Sequence, residues 1–185
     1  TVLRKRPVFY SRLFSLKGTA VLGWGLKWSG RRAILLAAQH GCAFYLVEDG
    51  FLRSVGRADQ ALSLVLDRKG IYYDCTMPSE LEIFAQKSLS QLEIAQVRSV
   101  IAIWRSERLS KYNAGRDGLG SLPDHYILVC DQTFGDASIS YGLANAESFT
   151  LMLQAALAEY PNHTIILKTH PDVVTREKKG LFDIA

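Results

Sequence analysis

Cysteine is scarce here: Cys42, Cys75 and Cys130 stand alone, odd in number and never spaced as a CxxC pair. That pattern excludes a disulfide framework or a structural zinc site, and the three thiols are expected to be buried as small hydrophobes. No apolar run approaches the roughly 20 residues needed to cross a bilayer. Arg4, Lys5 and Arg6 make the start of the sequence basic, but neither an apolar stretch nor a small-residue cleavage site follows. A signal peptide is therefore not expected, and the chain is expected in the cytoplasm. Also missing are the dinucleotide glycine fingerprint, the P-loop, the HExxH zinc motif and any Asp-x-Asp pair that would hold a nucleoside diphosphate through a divalent ion. Gly23-Trp24-Gly25 is only a partial glycine-rich loop, which a strand-helix turn explains as well. There is no internal repeat and no low-complexity segment.

What remains is an ordinary globular composition, 48% hydrophobic and 22% charged over 185 residues. The net charge of +4 and a pI of about 9.0 suit an anionic partner such as a nucleotide, an acidic sugar or a phospholipid headgroup. The basic residues gather at the N-terminus, at Arg31-Arg32 and from Arg176 to Lys179, without the interleaved aromatics of single-strand binders. No nucleic-acid partner is expected.

Periodicity organises the chain as alternating strands and helices. Residues 19–23 read as a strand, Arg31 to His40 as a helix closed by Gly41, and residues 43–47 as a buried strand. This is a β-α-β unit, the seed of a parallel sheet. Leu62 to Leu66 and Ile71 to Tyr73 flank Asp67-Arg68-Lys69-Gly70 and predict a hairpin or tight strand pair. Ser79 with Glu82, and Ser90 with Glu93, are capping boxes. The second opens a helix carrying Ile94, Val97, Ile101 and Trp104 on one face and expected to run to about Tyr112. A Gly-rich stretch, residues 114–121, is the expected domain boundary. Beyond it lie a strand (Tyr126 to Cys130), a polar loop (Asp131 to Tyr141) and a helix over residues 146–159. Phe149, Met152, Leu153, Ala156 and Leu157 are its inward residues, and a last strand runs from Ile165 to Leu167.

Three polar turns are expected at carboxyl ends of strands, where open α/β sheets bind ligands. Glu48-Asp49-Gly50 places two carboxylates after five apolar residues. Repulsion between them would raise one pKa and make an acid/base group; a structural salt bridge to Arg53 is the alternative. The loop from Asp131 to Ser138 offers donors for a phosphate or a sugar, and Asp136 is a carboxylate able to attack an anomeric carbon. Asx turns of Asp131 and Asp136 onto their own backbone are the alternative there. In Lys168-Thr169-His170-Pro171, the proline stops the strand while lysine and histidine offer donors to a phosphate.

Seven blocks then resemble one family when taken together and in order. They are Gly23-Trp24-Gly25-x-Lys27-x-Ser29, Glu48 to Ser54, Leu62 to Asp67, Gly70 to Asp74, Leu109 to Asn113, Asp131-Gln132-Thr133-Phe134-x-Asp136-x-Ser138 and Lys168-x-His170-Pro171-Asp172-Val173. The family is the bacterial capsule polysaccharide β-Kdo transferases of the KpsC/LipA type, and the likeness covers about residues 19–180. It implies transfer of β-linked Kdo from CMP-β-Kdo to a lipid-linked acceptor on the cytoplasmic face of the inner membrane, building a linker for capsule export. A chain with that task would be peripheral to the inner membrane and could contact other capsule assembly proteins. A non-catalytic nucleotide-sugar-binding or assembly module is the alternative reading.

The resemblance further implies a GT-B-like α/β architecture of two Rossmann-like domains. Residues 1–116 would form the acceptor-side domain with its long helix, and residues 122–185 the beginning of the CMP-sugar domain. Thr1 and Ala185 are accordingly read as cuts inside a longer chain, and the Glu48 to Asp74 stretch as closer to the second of two modules. Trp28 replaces a common proline, and Asp59-Gln60-Ala61 a proline-rich turn. A retaining outcome calls for a carboxylate nucleophile and an acid/base partner. Asp136 is the expected nucleophile, and Glu48 or Asp49 would activate the acceptor hydroxyl. His170 and Lys168 would hold the CMP phosphate, aided by Asp131, Gln132 and Ser138. Arg53 is expected to meet the Kdo carboxylate, and Lys27 and Ser29 the acceptor. No metal or other cofactor is expected.

Overall fold

The computed structural model describes residues 16–56, 59–113 and 120–182. The basic Arg4-Lys5-Arg6 cluster and most of the Gly-rich boundary stretch lie outside them. Strand β1 (Ala20–Trp24) runs through helix α1 (Trp28–His40) to a parallel β2 (Ala43–Asp49), in register from Ala20 opposite Ala43 to Trp24 opposite Val47. The expected β-α-β unit is therefore present. Ala33, Leu36 and Ala37 of α1 are buried, and the N–H of Gly41 ends the helix on the carbonyl of Ala37.

The chain then departs from its reading. Strand β2 continues through Glu48 and Asp49, so these carboxylates are its last two residues and the turn begins at Gly50. Strand β3 (Leu64–Asp67) lies antiparallel on β2, with Glu48 opposite Val65 and Asp49 opposite Leu64. The first sheet is thus parallel with an antiparallel edge, and no crossover helix occurs among the described residues between β2 and β3. Ile71 to Tyr73 do not pair with β3. The buried side chain of Asp67 accepts the N–H groups of Lys69 and Gly70 at 2.8 and 2.9 Å and that of Glu80 at 2.7 Å, which binds this segment into a turn.

Both predicted capping boxes form, opening α2 (Glu80–Ala85) and α3 (Gln91–Ser106). Helix α3 stops well before Tyr112. Arg108 takes a left-handed conformation, and residues 109–113 fold back so that the carbonyl of Lys111 accepts the N–H of Arg53 at 2.9 Å. Ile94 and Trp104 are half-buried while Val97 and Ile101 stay exposed.

Strand β4 (Tyr126–Cys130), the short α4 (Ala137–Tyr141), α5 (Ala146–Glu159), β5 (Thr164–Lys168) and α6 (Pro171–Val174) follow. β4 and β5 form a second, parallel pair. Helix α5 buries Ala156 and half-buries Phe149 and Leu153, but Met152 and Leu157 remain exposed, because only one narrow stripe meets β4. The cysteine expectation fails as well. Cys130 points away from the buried side of β4, where Val129 lies; Cys75 is exposed and Cys42 half-buried.

The main core is Leu26, Leu46 and Ile71, and Tyr141 of α4 packs against it from the second half. The carbonyl of Tyr141 also accepts the N–H and the Sγ–H of Cys75, at 3.0 and 3.1 Å. The second half is thereby seated beside the tyrosines that follow Ile71.

Candidate active site

Every nominated loop lies at a strand's carboxyl end, the general binding edge of open α/β sheets. At the end of β1, Gly25 adopts φ of 45°, and both the Tyr73 hydroxyl and the Glu48 carboxylate press against its Cα, leaving no room for a side chain. The backbone N–H of Leu26 donates to the Tyr73 hydroxyl at 2.9 Å. Burial, and then the charge of Glu48 with smaller effects from Tyr72 and Asp136, pushes the Tyr73 phenol up to about 12, although the Leu26 hydrogen bond opposes the rise. Tyr72 is raised too, first by burial and then by the charges of Glu48, Asp49 and Asp136. The charges of Glu48 from the first half and Asp136 from the second thus act on both tyrosines, and that of Asp49 on Tyr72.

Asp49 Oδ1 is 3.4 Å from Arg53 Nε, so the salt-bridge alternative is realised for Asp49 and not for Glu48. Arg53 also donates to Ser54 Oγ at 3.1 Å and to the carbonyl of Asp59, and its guanidinium lies 6.0 Å from the ring centre of Tyr112. It is held in a loop-closing network rather than displayed to a ligand.

Asp136 is the N-cap of α4. Its Oδ1 accepts both the N–H and the hydroxyl of Ser138, at 2.9 and 2.8 Å, and no hydrogen bond to its Oδ2 occurs among the described residues. The Asx turn thus fixes one oxygen and leaves the other available. Asp131 faces inward and is buried. Its Oδ1 accepts the N–H groups of Gln132 and Leu181 at 2.8 and 3.0 Å, while the buried Oδ2 lies against Gly180 with no hydrogen-bond partner. Asp131 therefore shapes the loop and ties residues 180–181 to it. Gln132 is exposed.

The backbone joins β5 to this loop, since the N–H of Asp131 donates to the carbonyl of Lys168 at 2.9 Å. The Lys168 side chain is exposed and makes no hydrogen bond or ion pair among the described residues. His170 is the N-cap of α6, and its Nδ1 accepts the N–H of Asp172 at 3.1 Å. An accepting Nδ1 requires the proton on Nε2, so the ring offers an Nε2–H donor. Asp172 is held in turn by Lys178 at 2.9 Å.

Of the two residues expected at the acceptor, one is engaged within the fold and the other is exposed. Ser29 Oγ accepts the N–H of Trp24 at 3.0 Å, fastening β1 to the start of α1. Lys27 is the exposed N-cap of α1 and makes no side-chain cap. The sequence signals for Tyr72 and Tyr73 are their place in the Gly70 to Asp74 block and in the Ile71 to Tyr73 run, and neither marks them as site residues. Among the described residues no group of three or more His, Cys, Asp or Glu side chains is placed to hold a metal ion, and no helix is long and apolar enough to cross a membrane.

Comparison with known proteins fits this arrangement. LipA, a capsule polysaccharide modification protein of Neisseria meningitidis serogroup A, is 41% identical over 172 residues, covering 87% of this chain and 24% of its own length. The solved Thermosulfurimonas dismutans KpsC β-Kdo 2,4 transferase is 37% identical with a TM-score of 0.82, over 92% of this chain and 57% of that one. The β-Kdo 2,7 transferase of the same organism's KpsC is 30% identical with a TM-score of 0.58, over 84% and 48%. The chain thus spans about a quarter of LipA and little more than half of the solved transferase. Capsule polysaccharide biosynthesis proteins match over residues 19–122 and 116–182, nearly all of the described chain, and the protein belongs to that family.

Proposed function

We propose that this protein contributes the catalytic groups of a retaining glycosyltransferase that moves β-Kdo from CMP-β-Kdo to a lipid-linked acceptor. The observation that carries the reading is that Glu48 at the end of β2, against Gly25, and Asp136 in the loop after β4 both stand at carboxyl ends of strands, with Tyr141 of α4 packed on the core of the first half. A carboxylate pair drawn from opposite sides suits double displacement, in which one attacks and the other handles a proton.

Asp136 Oδ2 attacks the anomeric carbon as the bond to the CMP phosphate oxygen breaks. The leaving phosphate takes the electron pair, and Lys168 with the Nε2–H of His170 neutralises it. An acceptor hydroxyl then attacks the same carbon and gives its proton to Glu48. The Asp136 ester breaks, and two inversions leave the β configuration. Ser138 aims Asp136 by binding its other oxygen. Asp49 is already paired with Arg53, and Glu48 has no ion pair among the described residues. Gln132 stands at the donor side as an exposed amide. The greater likeness to the 2,4 than to the 2,7 transferase supports a 2,4 linkage. With no Asp-x-Asp pair in the sequence, donor binding is read as independent of a divalent ion. The acceptor's lipid would bring the protein to the inner membrane, beside other capsule assembly proteins.

Asp136→Asn tests the assignment while keeping a good N-cap. Transfer from CMP-Kdo is expected to fall by about 10³-fold or more, with CMP affinity retained. Near-normal turnover in this variant would reject Asp136 as nucleophile.

A further inference from the structure

Helix α1 has a second side that neither the core nor the reaction scheme uses. Gly30, Ala33, Leu36 and Ala37 are its buried side. On the opposite side Trp28 is 70% exposed and Leu35 62% exposed, and Arg31, Arg32 and the preceding Lys27 are exposed as well. Positions 28, 32 and 35 recur at helical spacing, so Trp28 and Leu35 lie on one line about 10 Å apart with the two arginines between them. An indole and a leucine left in water are unfavourable unless something covers them.

Charge decides what covers them. The helix contains no Asp or Glu, and none of Lys27, Arg31 and Arg32 makes an ion pair among the described residues. Other cations are taken up by the protein itself, Arg53 by Asp49, Arg68 by Glu80 and Lys178 by Asp172. The Arg32 guanidinium lies 5.5 Å from the Trp28 ring centre, a pairing that lets the ring enter an apolar layer while the cation stays at its polar margin. Three unpaired cations interleaved with an indole and a leucine match a surface that is anionic outside and apolar just beneath, which is an anionic phospholipid layer. A nucleic acid would supply the charge but no apolar layer for Leu35.

The placement of this face connects it with the site. Lys27 is the N-cap of α1, at the carboxyl end of β1, and the turn before it contains Gly25, whose Cα meets Glu48 and Tyr73. Trp28 therefore opens the helix at the same edge as the Glu48 carboxylate. We propose that the solvent side of α1 is a membrane-contact face, which lays Trp28 and Leu35 into the headgroup region of an anionic bilayer with Lys27, Arg31 and Arg32 on its phosphates. Such contact brings the edge that carries Glu48 close to the lipid layer. The use of that closeness, to meet a lipid-linked acceptor, rests on the transferase reading; the lipid binding itself needs neither donor nor acceptor.

The probe is vesicles of phosphatidylcholine, alone or mixed equally with phosphatidylglycerol, co-sedimented with the purified protein without donor or acceptor. Binding is expected to the mixed vesicles only, and it should weaken as salt rises. Arg31→Gln with Arg32→Gln is expected to weaken it about thirtyfold and Trp28→Ala about tenfold. Arg98→Gln with Arg105→Gln, an equal loss of charge from exposed positions on α3, should leave most of it intact. An equal loss in the α3 pair would reduce the effect to net charge and overturn the proposal. No vesicle binding by the wild type, equal binding to phosphatidylcholine alone, or full binding by either α1 variant would overturn it too. Self-association that Trp28→Ala abolishes, with no vesicle binding, would assign the face to a second copy instead. CMP release from CMP-Kdo reports the transferase reading separately. Its absence, with α1-dependent vesicle binding intact, would remove that reading and leave the membrane face standing.

Discussion

At the end of β2, Glu48 and Asp49 stand on a strand whose Leu46 is wholly buried, with Leu26 and Ile71 completing the core beneath them. At the other edge, Lys168 ends β5, a strand with no buried residue paired parallel to β4, and His170 follows as the N-cap of α6. The first region holds its carboxylates by packing and against Gly25. The second holds its groups through local caps, with Asp136 accepting from Ser138 and His170 Nδ1 accepting the N–H of Asp172. Groups that move protons need fixed geometry, whereas groups that neutralise a phosphate tolerate more freedom. Glu48 and the phosphate-binding pair follow this difference in support, while Asp136 gains its fixed geometry from the two hydrogen bonds of Ser138.

The comparison is sharpest in turnover. Glu48→Gln keeps the shape of the side chain and removes the base, so transfer is expected to fall about 10²-fold with CMP affinity unchanged. Lys168→Ala is expected to weaken CMP binding about tenfold while most of the turnover of bound donor survives. Steady-state kinetics with calorimetric CMP titration reads both. If Glu48→Gln weakened CMP binding and Lys168→Ala left it intact, the two ends would have exchanged roles.

A smaller effect tests the packing of the first region alone. The Tyr73 phenol ordinarily titrates at 10.0 and is raised to about 12, first by burial. The folded chain holds this proton more tightly than the unfolded one, so the contribution to stability is complete below pH 10 and is lost as the pH climbs toward 12. Melting temperature should decline across that window, and Tyr73→Phe should flatten the decline while lowering the starting stability, because Leu26 N–H loses its acceptor. An unchanged slope in Tyr73→Phe would place the alkaline sensitivity elsewhere.

The sequence was most legible where the physics is local. The capping boxes at Ser79 and Ser90 need only residues three apart, and both formed as read. The β-α-β unit followed from periodicity and Gly41. The partner of β3 was not legible, because Asp67 binds backbone groups as far away as Glu80 and a hairpin reading cannot anticipate that. The end of α3 was missed for a related reason, since residues 109–113 are recruited by Arg53 and Ser54 across the fold. In the site, the residue types and their strand-end positions were readable, but not their commitments. Arg53, Ser29 and Asp131 look like ligand contacts in a motif, yet each is occupied by the protein itself. Tyr72 and Tyr73 read as part of a strand pair, yet Tyr73 accepts the Leu26 N–H and both tyrosines feel the charges of Glu48 and Asp136.

A nucleophilic Asp136 would carry the sugar covalently between donor and acceptor. Incubating the protein with CMP-Kdo in the absence of acceptor, then digesting it and locating any added Kdo mass by tandem mass spectrometry, tests this directly. An adduct on Asp136 is predicted, and it should vanish in Asp136→Asn and when acceptor is supplied. An adduct on Glu48 or Asp49, or transfer that proceeds with no adduct on any carboxylate, would contradict it.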